Sequence, residues 1–254
     1  MDRPEWAKTA VVADLEKKHG ENTYASSTPA CDGERVYITF LDKPHLRVFC
    51  YDYSGKLVWE KSPGEFHSVH GFCSPPIIYK DLVIVNGDQD APKGQSAYIV
   101  AFDKKTGEEK WRTDRPNKLR SYCPPVVVEA NGKKQMVLTG SKCVASYDPD
   151  TGKQLWLVDG PTEQFVSSVV LHDGVLLLTA GFPQHWVMAI KPDGTGNVTK
   201  SHVLWSKKGE GGYVPSPVAH ADKLFLVDDV GVASCWDVKT GKQFWKERLS
   251  GKKH

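Results

Sequence analysis

The sequence predicts an all-β protein, a β-propeller of four-stranded antiparallel blades with five repeats present, on three observations. One motif, Asp-x-x-Thr-Gly-x-x-x-Trp, recurs along the chain. The tryptophans that end its copies lie at 59, 111, 156, 205 and 245, separated by 52, 45, 49 and 40 residues, the period of propeller blades. Each copy is preceded by the same succession of turn and apolar segments.

The clearest copies are Asp103, Thr106, Gly107, Trp111; Asp148, Thr151, Gly152, Trp156; and Asp237, Thr240, Gly241, Trp245. Asp52, Ser54, Gly55 and Trp59 form a variant one residue shorter. A degenerate copy has Asp193 and Gly194, with its Trp205 displaced by an insertion over 196–202.

Each unit opens with a small polar segment: Ser27-Thr28-Pro29, Ser74-Pro75-Pro76, Cys123-Pro124-Pro125, Ser167-Ser168 without proline, and Ser216-Pro217. An acidic or glycine turn follows, such as Asp32-Gly33 or Asp173-Gly174. Next comes an apolar run: Val36 to Ile38, Leu82 to Val85, Met136 to Leu138, Val175 to Leu178 and Leu224 to Val227. Short runs rich in Val, Ile and Leu, bounded by turn residues, read as strands. They lack polar alternation, which predicts burial on both faces, the environment of a sheet stacked between two neighbours. A third strand ends at the motif Asp, and Trp opens the fourth.

The motif chemistry supports this order. Glycine tolerates the positive φ of a hairpin turn, the Asp carboxylate accepts hydrogen bonds from the following amides, and Trp supplies a large apolar plate. Helix is expected only over 5–18, where Trp6, Ala10, Val11 and Leu15 have suitable spacing. Residues 1–23 form an N-terminal segment read as a remnant of an upstream blade, and 24–254 carry the five blades.

The pattern from Ala101-Phe102-Asp103 to Trp111 resembles the PQQ-like repeat of quinoprotein-type propellers. It is also similar to outer-membrane assembly propellers of the BamB type and to the PQQ-binding-like propeller proteins of planctomycete-type bacteria. The resemblance covers roughly 24–249. Members of this class usually have seven or eight blades and a secretion signal, so five units without a signal imply part of a larger propeller; a closed five-bladed ring is the rival arrangement. The resemblance implies periplasm or cell envelope if a leader is missing, and otherwise the cytoplasm.

Composition narrows the function. With 33 Lys and Arg against 31 Asp and Glu, the net charge of +2 offers no basic field for a nucleic acid. No apolar stretch approaches the roughly 20 residues of a membrane helix. Six cysteines, Cys31, Cys50, Cys73, Cys123, Cys143 and Cys235, include no Cys-x-x-Cys spacing, so a zinc site is unsupported; small buried residues or one or two disulfides are the readings left. No Gly-x-Ser-x-Gly elbow is present. Asn197-Val198-Thr199 matches a glycosylation sequon, which carries little weight in a bacterial-type chain.

The resemblance also implies what a quinoprotein dehydrogenase needs: a quinone in the central channel, calcium held by Glu, Asn and Asp, an Asp base and often adjacent cysteines. Adjacent cysteines are absent, so no cofactor is expected, neither PQQ nor calcium, and no catalytic residue is assigned. The densest acidic loop, Asn86-Gly87-Asp88-Gln89-Asp90, offers alternating oxygens for a hard cation but lacks the distal Glu of a calcium loop, and reads first as a solvated connection. His67 and His70 are three apart, which in a strand points them to opposite faces.

In propellers of the family resembled, the first strand of each blade lines the central channel. The segment starts are therefore the candidate binding residues at a channel mouth: Tyr24, Ser27, His70, Ser74, Tyr122, Cys123, Ser168, Tyr213 and Ser216. Convergent polar groups in a concavity make ligand sites; channel packing and buried water are the alternative. The functional expectation is a non-catalytic scaffold that binds a protein or other partner. A quinoprotein oxidoreductase and a small-ligand or sugar-binding propeller are the alternatives.

Overall fold

A computed structural model describes residues 6–14, 19–20 and 26–249. The chain divides into two compact units, Met1–Arg120 and Ser121–His254.

The first unit holds two four-stranded sheets in strand order β1-β2-β3-β4 and β5-β6-β7-β8. These are β1 (Ala30–Cys31), β2 (Arg35–Asp42), β3 (His45–Asp52) and β4 (Leu57–Glu65), then β5 (Ile77–Tyr79), β6 (Leu82–Gly87), β7 (Tyr98–Asp103) and β8 (Glu109–Asp114). Every neighbouring pair is antiparallel. The middle strands are apolar on both faces and largely covered, as the unalternating runs predict. Tyr37, Val48 and Cys50 of one sheet and Val83, Val85, Val100 and Phe102 of the other belong to one core, which Phe66 and Phe72 join from the connection.

The second unit holds three sheets. Its first has β9 (Val126–Ala130), β10 (Lys133–Gly140), β11 (Cys143–Tyr147) and β12 (Gln154–Asp159); its second has β13 (Val170–His172), β14 (Val175–Ala180), β15 (Trp186–Ile190) and β17 (Val203–Lys208). Its third has β18 (Val218–His220), β19 (Lys223–Val227), β20 (Val232–Asp237) and β21 (Gln243–Arg248). A two-residue strand, β16 (Gly196–Asn197), adds to the outer edge of β12 in parallel. A core of Leu177, Val187, Ala189, Trp205, Leu224, Leu226 and Trp236 is shared by its last two sheets.

All five expected apolar runs are second strands. The tryptophans differ by two positions from expectation: Trp59, Trp111, Trp156, Trp205 and Trp245 are each the third residue of their fourth strand. In all five blades a register shift in the pairing with the third strand lies beside the tryptophan, as between Ala101 and Phe102 opposite Trp111.

The hairpin between third and fourth strands works as its chemistry requires. Asp103 Oδ1 accepts the amides of Lys105 and Thr106, each at 2.9 Å, and the Thr106 hydroxyl at 3.1 Å. Asp237 repeats the pattern with Lys239 and Thr240. The amide of Thr106 first, with those of its neighbours, holds the Asp103 carboxyl below its usual range. The glycines of these turns have positive φ, +70° at Gly107 and +64° at Gly241.

These glycines also seat the tryptophans. A Cβ on Gly107 would lie 2.7 Å from the Trp59 ring, and one on Gly241 2.5 Å from the Trp205 ring. The indole N–H of Trp59 donates to Lys104 O at 3.1 Å and that of Trp205 to Val238 O at 2.9 Å. In each of these two cases the tryptophan of one blade lies on the Thr-Gly turn of the next.

The expected helix over 5–18 is not formed where it can be described, since residues 6–14 are irregular; the rest of it lies outside the described residues. Trp6 instead repeats the interlock. Its ring lies 2.7 Å from where a Gly55 Cβ would stand, and its N–H donates to Tyr53 O at 2.7 Å. Among the described residues the one helix is α1 (Thr199–His202), in the inserted loop of the fourth repeat.

Candidate functional site

Tyr24 lies outside the described residues. The other segment starts precede the first strand of each blade, and several of them are hydrogen-bonded to a neighbouring blade start. In the first unit, Ser27 Oγ lies 2.7 Å from Thr39 Oγ1 and donates to Ser74 O at 3.2 Å. Ser74 is buried, and the half-buried His70 ring lies 4.9 Å from that of His19, tilted against it. In the second unit, Cys123 Sγ donates to Ser167 O at 3.2 Å, Ser167 Oγ bonds Thr179 at 2.8 Å, and Ser168 N donates to Ser216 Oγ at 3.0 Å. Tyr122 is buried, and Tyr213 OH donates to Gln164 Oε1 at 2.9 Å. Within each unit, bonds from Ser27 to Ser74, from Cys123 to Ser167 and from Ser168 to Ser216 tie one blade start to the next. Ser216 is exposed, and Ser168 and Tyr213 are half-buried.

The acidic loop has a different character from a cation site. Asp88 is fully buried, and Arg115, also fully buried, approaches it with Nε at 2.7 Å and Nη2 at 3.1 Å. Burial pushes the Asp88 carboxyl up from its usual value, against the pull of Arg115. Asp90 pairs with Arg120 at 2.8 Å. Gln89 is buried and fixes the loop through Glu65 O and Ser96 O. The two carboxylates that could have served a calcium are neutralised by guanidinium groups, and a bidentate pairing in low dielectric is costly to break. The residues of this loop do not fit a calcium ion. Among the described residues no group of three or more His, Cys, Asp or Glu is arranged to hold a metal. His67 lies in the irregular connection before the second blade and pairs with Glu65 at 3.1 Å, separately from His70.

Sequence reasoning missed both arginines. Arg115 lies 27 residues from Asp88, and no local spacing links them. Only the hairpin order, with β6 and β8 flanking β7, brings the loop after β6 beside the end of β8.

The fourth repeat is rebuilt. In the other copies the amide of the motif Asp donates to the carbonyl three residues before Trp, as from Asp103 N to Glu108 O and from Asp148 N to Lys153 O. Here that amide belongs to Lys191, donating to His202 O at 2.8 Å. Asp193 sits two residues into the enlarged loop and pairs with Lys191 at 2.7 Å and His202 at 3.3 Å. Gly194 packs against Val198 and His202 within that loop. The Trp156 indole N–H finds Gln135 Oε1 at 2.8 Å, and Gln135 Nε2 donates to Pro192 O at 2.8 Å.

All six cysteines are thiols in the structure. Cys31 is exposed, Cys73 is half-buried, and the other four are buried. Burial pushes the Cys50 thiol up to about 12 and the Cys73 thiol to about 11.

Four-stranded antiparallel blades, interlocked by tryptophans seated on Thr-Gly turns, define a β-propeller protein of the PQQ-like repeat class. The chain belongs to the family of the outer membrane protein assembly factor BamB, whose model matches residues 6–247. Solved structures agree on the fold. BamB from Moraxella catarrhalis is similar with a TM-score of 0.64 at 14% identity, covering 90% of this chain and 65% of that one. A europium-containing methanol dehydrogenase gives 0.59 at 13%, covering 88% and 50%. The quinohemoprotein alcohol dehydrogenase ADHIIG from Pseudomonas putida HK5 gives 0.58 at 16%, covering 94% and 43%. The chain thus spans between about two fifths and two thirds of these relatives' lengths. No curated protein matched the sequence significantly.

Proposed function

We propose that this chain is a non-catalytic propeller scaffold that binds a protein partner in the cell envelope. The observation that carries this reading is the closure of the densest acidic loop by Arg115 and Arg120. It supports a structural role for the carboxylates best placed to hold a catalytic cation. Membership of the BamB family points the same way, toward a protein that acts by assembly. Stacked blades make a stiff platform, and their connections vary without loss of the core. Of the segment starts, Ser27, His70, Ser168, Tyr213 and Ser216 retain surface through which a partner would be met.

The dehydrogenases among the structural neighbours keep a quinoprotein oxidoreductase as the second reading. Melting curves with and without PQQ plus calcium separate the two. A ligand at 100 times its dissociation constant stabilises a fold by about 2.7 kcal/mol, a rise of roughly 5 to 10 °C for a chain of this size. The expected result is no calcium-dependent rise, together with saturable rebinding of a partner first captured by crosslinking in an envelope fraction and then purified. A calcium-dependent rise overturns the scaffold.

A further inference from the structure

The rebuilt fourth repeat leaves a cavity beside Trp156, where the second and fifth repeats set a turn glycine against the preceding tryptophan. Trp59 and Trp205 are each covered by a turn glycine. Beside Trp156 the corresponding turn is replaced by the enlarged loop, which is drawn aside in three ways. Asp193 ties its base to Lys191 and His202. Its strand β16 pairs with the outer edge of β12. Thr199 Oγ1 and Asn197 Nδ2 fasten it to Asp159, at 2.8 and 2.6 Å. What remains between loop and blade is an open-mouthed cavity of about 440 Å³, within the size range of small-molecule sites.

Its chemistry is two-sided. Leu155, Trp156 and Pro192 give it an apolar wall, and Gln135 stands among them with its amide already committed to Ser146, Trp156 and Pro192. Lys133 and Lys153 also line it. Both are exposed, and neither forms an ion pair among the described residues, whereas neighbouring Lys134 and Lys191 do. Asp193, the carboxylate of the lining, is engaged by Lys191 and His202. Two unopposed ammonium groups beside an apolar wall form a receptor for an anion that carries an apolar body.

We propose that this cavity is a binding site for a small organic carboxylate. The carboxylate lies between Lys133 and Lys153, and the apolar body lies along Leu155, Trp156 and Pro192. The proposal is independent of the scaffold reading, because a site on the third blade serves a scaffold or an enzyme equally.

Calorimetric titration of the full chain with 2-naphthoate, 2-naphthol and inorganic phosphate tests it. Naphthoate is expected to bind saturably, and at least tenfold more tightly than either comparison ligand. Lys133→Gln/Lys153→Gln is expected to weaken naphthoate at least tenfold while leaving the melting temperature unchanged, since both side chains are exposed. Lys207→Gln/Lys208→Gln, on the outer strand of the next blade, is the control for general charge and is expected to bind as the parent does. Absence of saturable naphthoate binding, naphthol binding as tightly as naphthoate, or an undiminished affinity in the Lys133/Lys153 variant overturns the proposal. Phosphate binding as tightly as naphthoate also overturns it, by showing a site for inorganic anions.

Discussion

At the scale of the residue, the fold turns on a tryptophan and a glycine that neither neighbour in sequence would suggest as partners. Trp59 and Gly107 come from successive repeats, yet the ring lies where a side chain on Gly107 would have to stand. The glycine is required twice, for its φ of +70° and for its missing Cβ. Gly107→Ala should therefore cost more than a turn substitution alone. A left-handed backbone conformation costs about 1 kcal/mol or more, and overpacking typically adds about 1–3 kcal/mol. The expected loss is about 2–4 kcal/mol in urea unfolding, while Gly132→Ala, with φ of +69° but nothing within 4 Å of its Cβ position, should show only the backbone cost. Equal losses at the two positions would mean that the ring contact contributes nothing. The turn chemistry of Asp103 and Gly107 was legible in the motif. The identity of the surface that covers Gly107 was not, because it arrives from another blade.

At the scale of the element, periodicity located all five second strands, since a run such as Leu82 to Val85 is buried on both sides. It failed where chain direction and spacing conflict. In the fourth repeat the eye aligns Asp193-Gly194 with Thr-Gly turns, but backbone pairing aligns Lys191, because the insertion falls inside the hairpin. Trp6, Ala10, Val11 and Leu15 fit a helix, but the docking of Trp6 on Gly55 takes precedence. The loop after β6 is the clearest gap, since its Arg115 partner is visible only once β8 is placed. Arg115→Met leaves Asp88 as an uncompensated buried charge and should cost about 3–5 kcal/mol, as breaking buried pairs does. The double change Asp88→Asn/Arg115→Met should recover much of that loss. A double variant no more stable than the single one would mean that the pair is not coupled. Chemical denaturation of the three proteins, parent included, measures both.

At the scale of the whole molecule, the repeat pattern identified the class before any coordinates, because tryptophans spaced by 52, 45, 49 and 40 residues recur at the length of a four-stranded blade. The candidate site was less legible. Segment starts such as Cys123 and Ser167 look like a row of available polar groups in the sequence, and the structure shows Cys123 bonded to the Ser167 carbonyl of the next blade and the Ser167 hydroxyl to Thr179 of its own. The cavity beside Trp156 had only one trace in the sequence, the irregularity of its fourth repeat, and its lysines come from a different repeat.

The thiols have a practical consequence. Cys31 and Cys50 sit in the first blade, Cys73 just before the second, Cys123 and Cys143 at the third and Cys235 in the fifth. Alkylation requires thiolate and access, so a brief pulse of iodoacetamide should mark Cys31 first and leave Cys50 and Cys143 unmodified until their blades open. Peptide mass spectrometry across a denaturant series would then read the order in which the blades come apart, with no foreign label introduced. Simultaneous modification of Cys50, Cys143 and Cys235 would reveal one cooperative molecule, and staggered modification a stack that peels from one end.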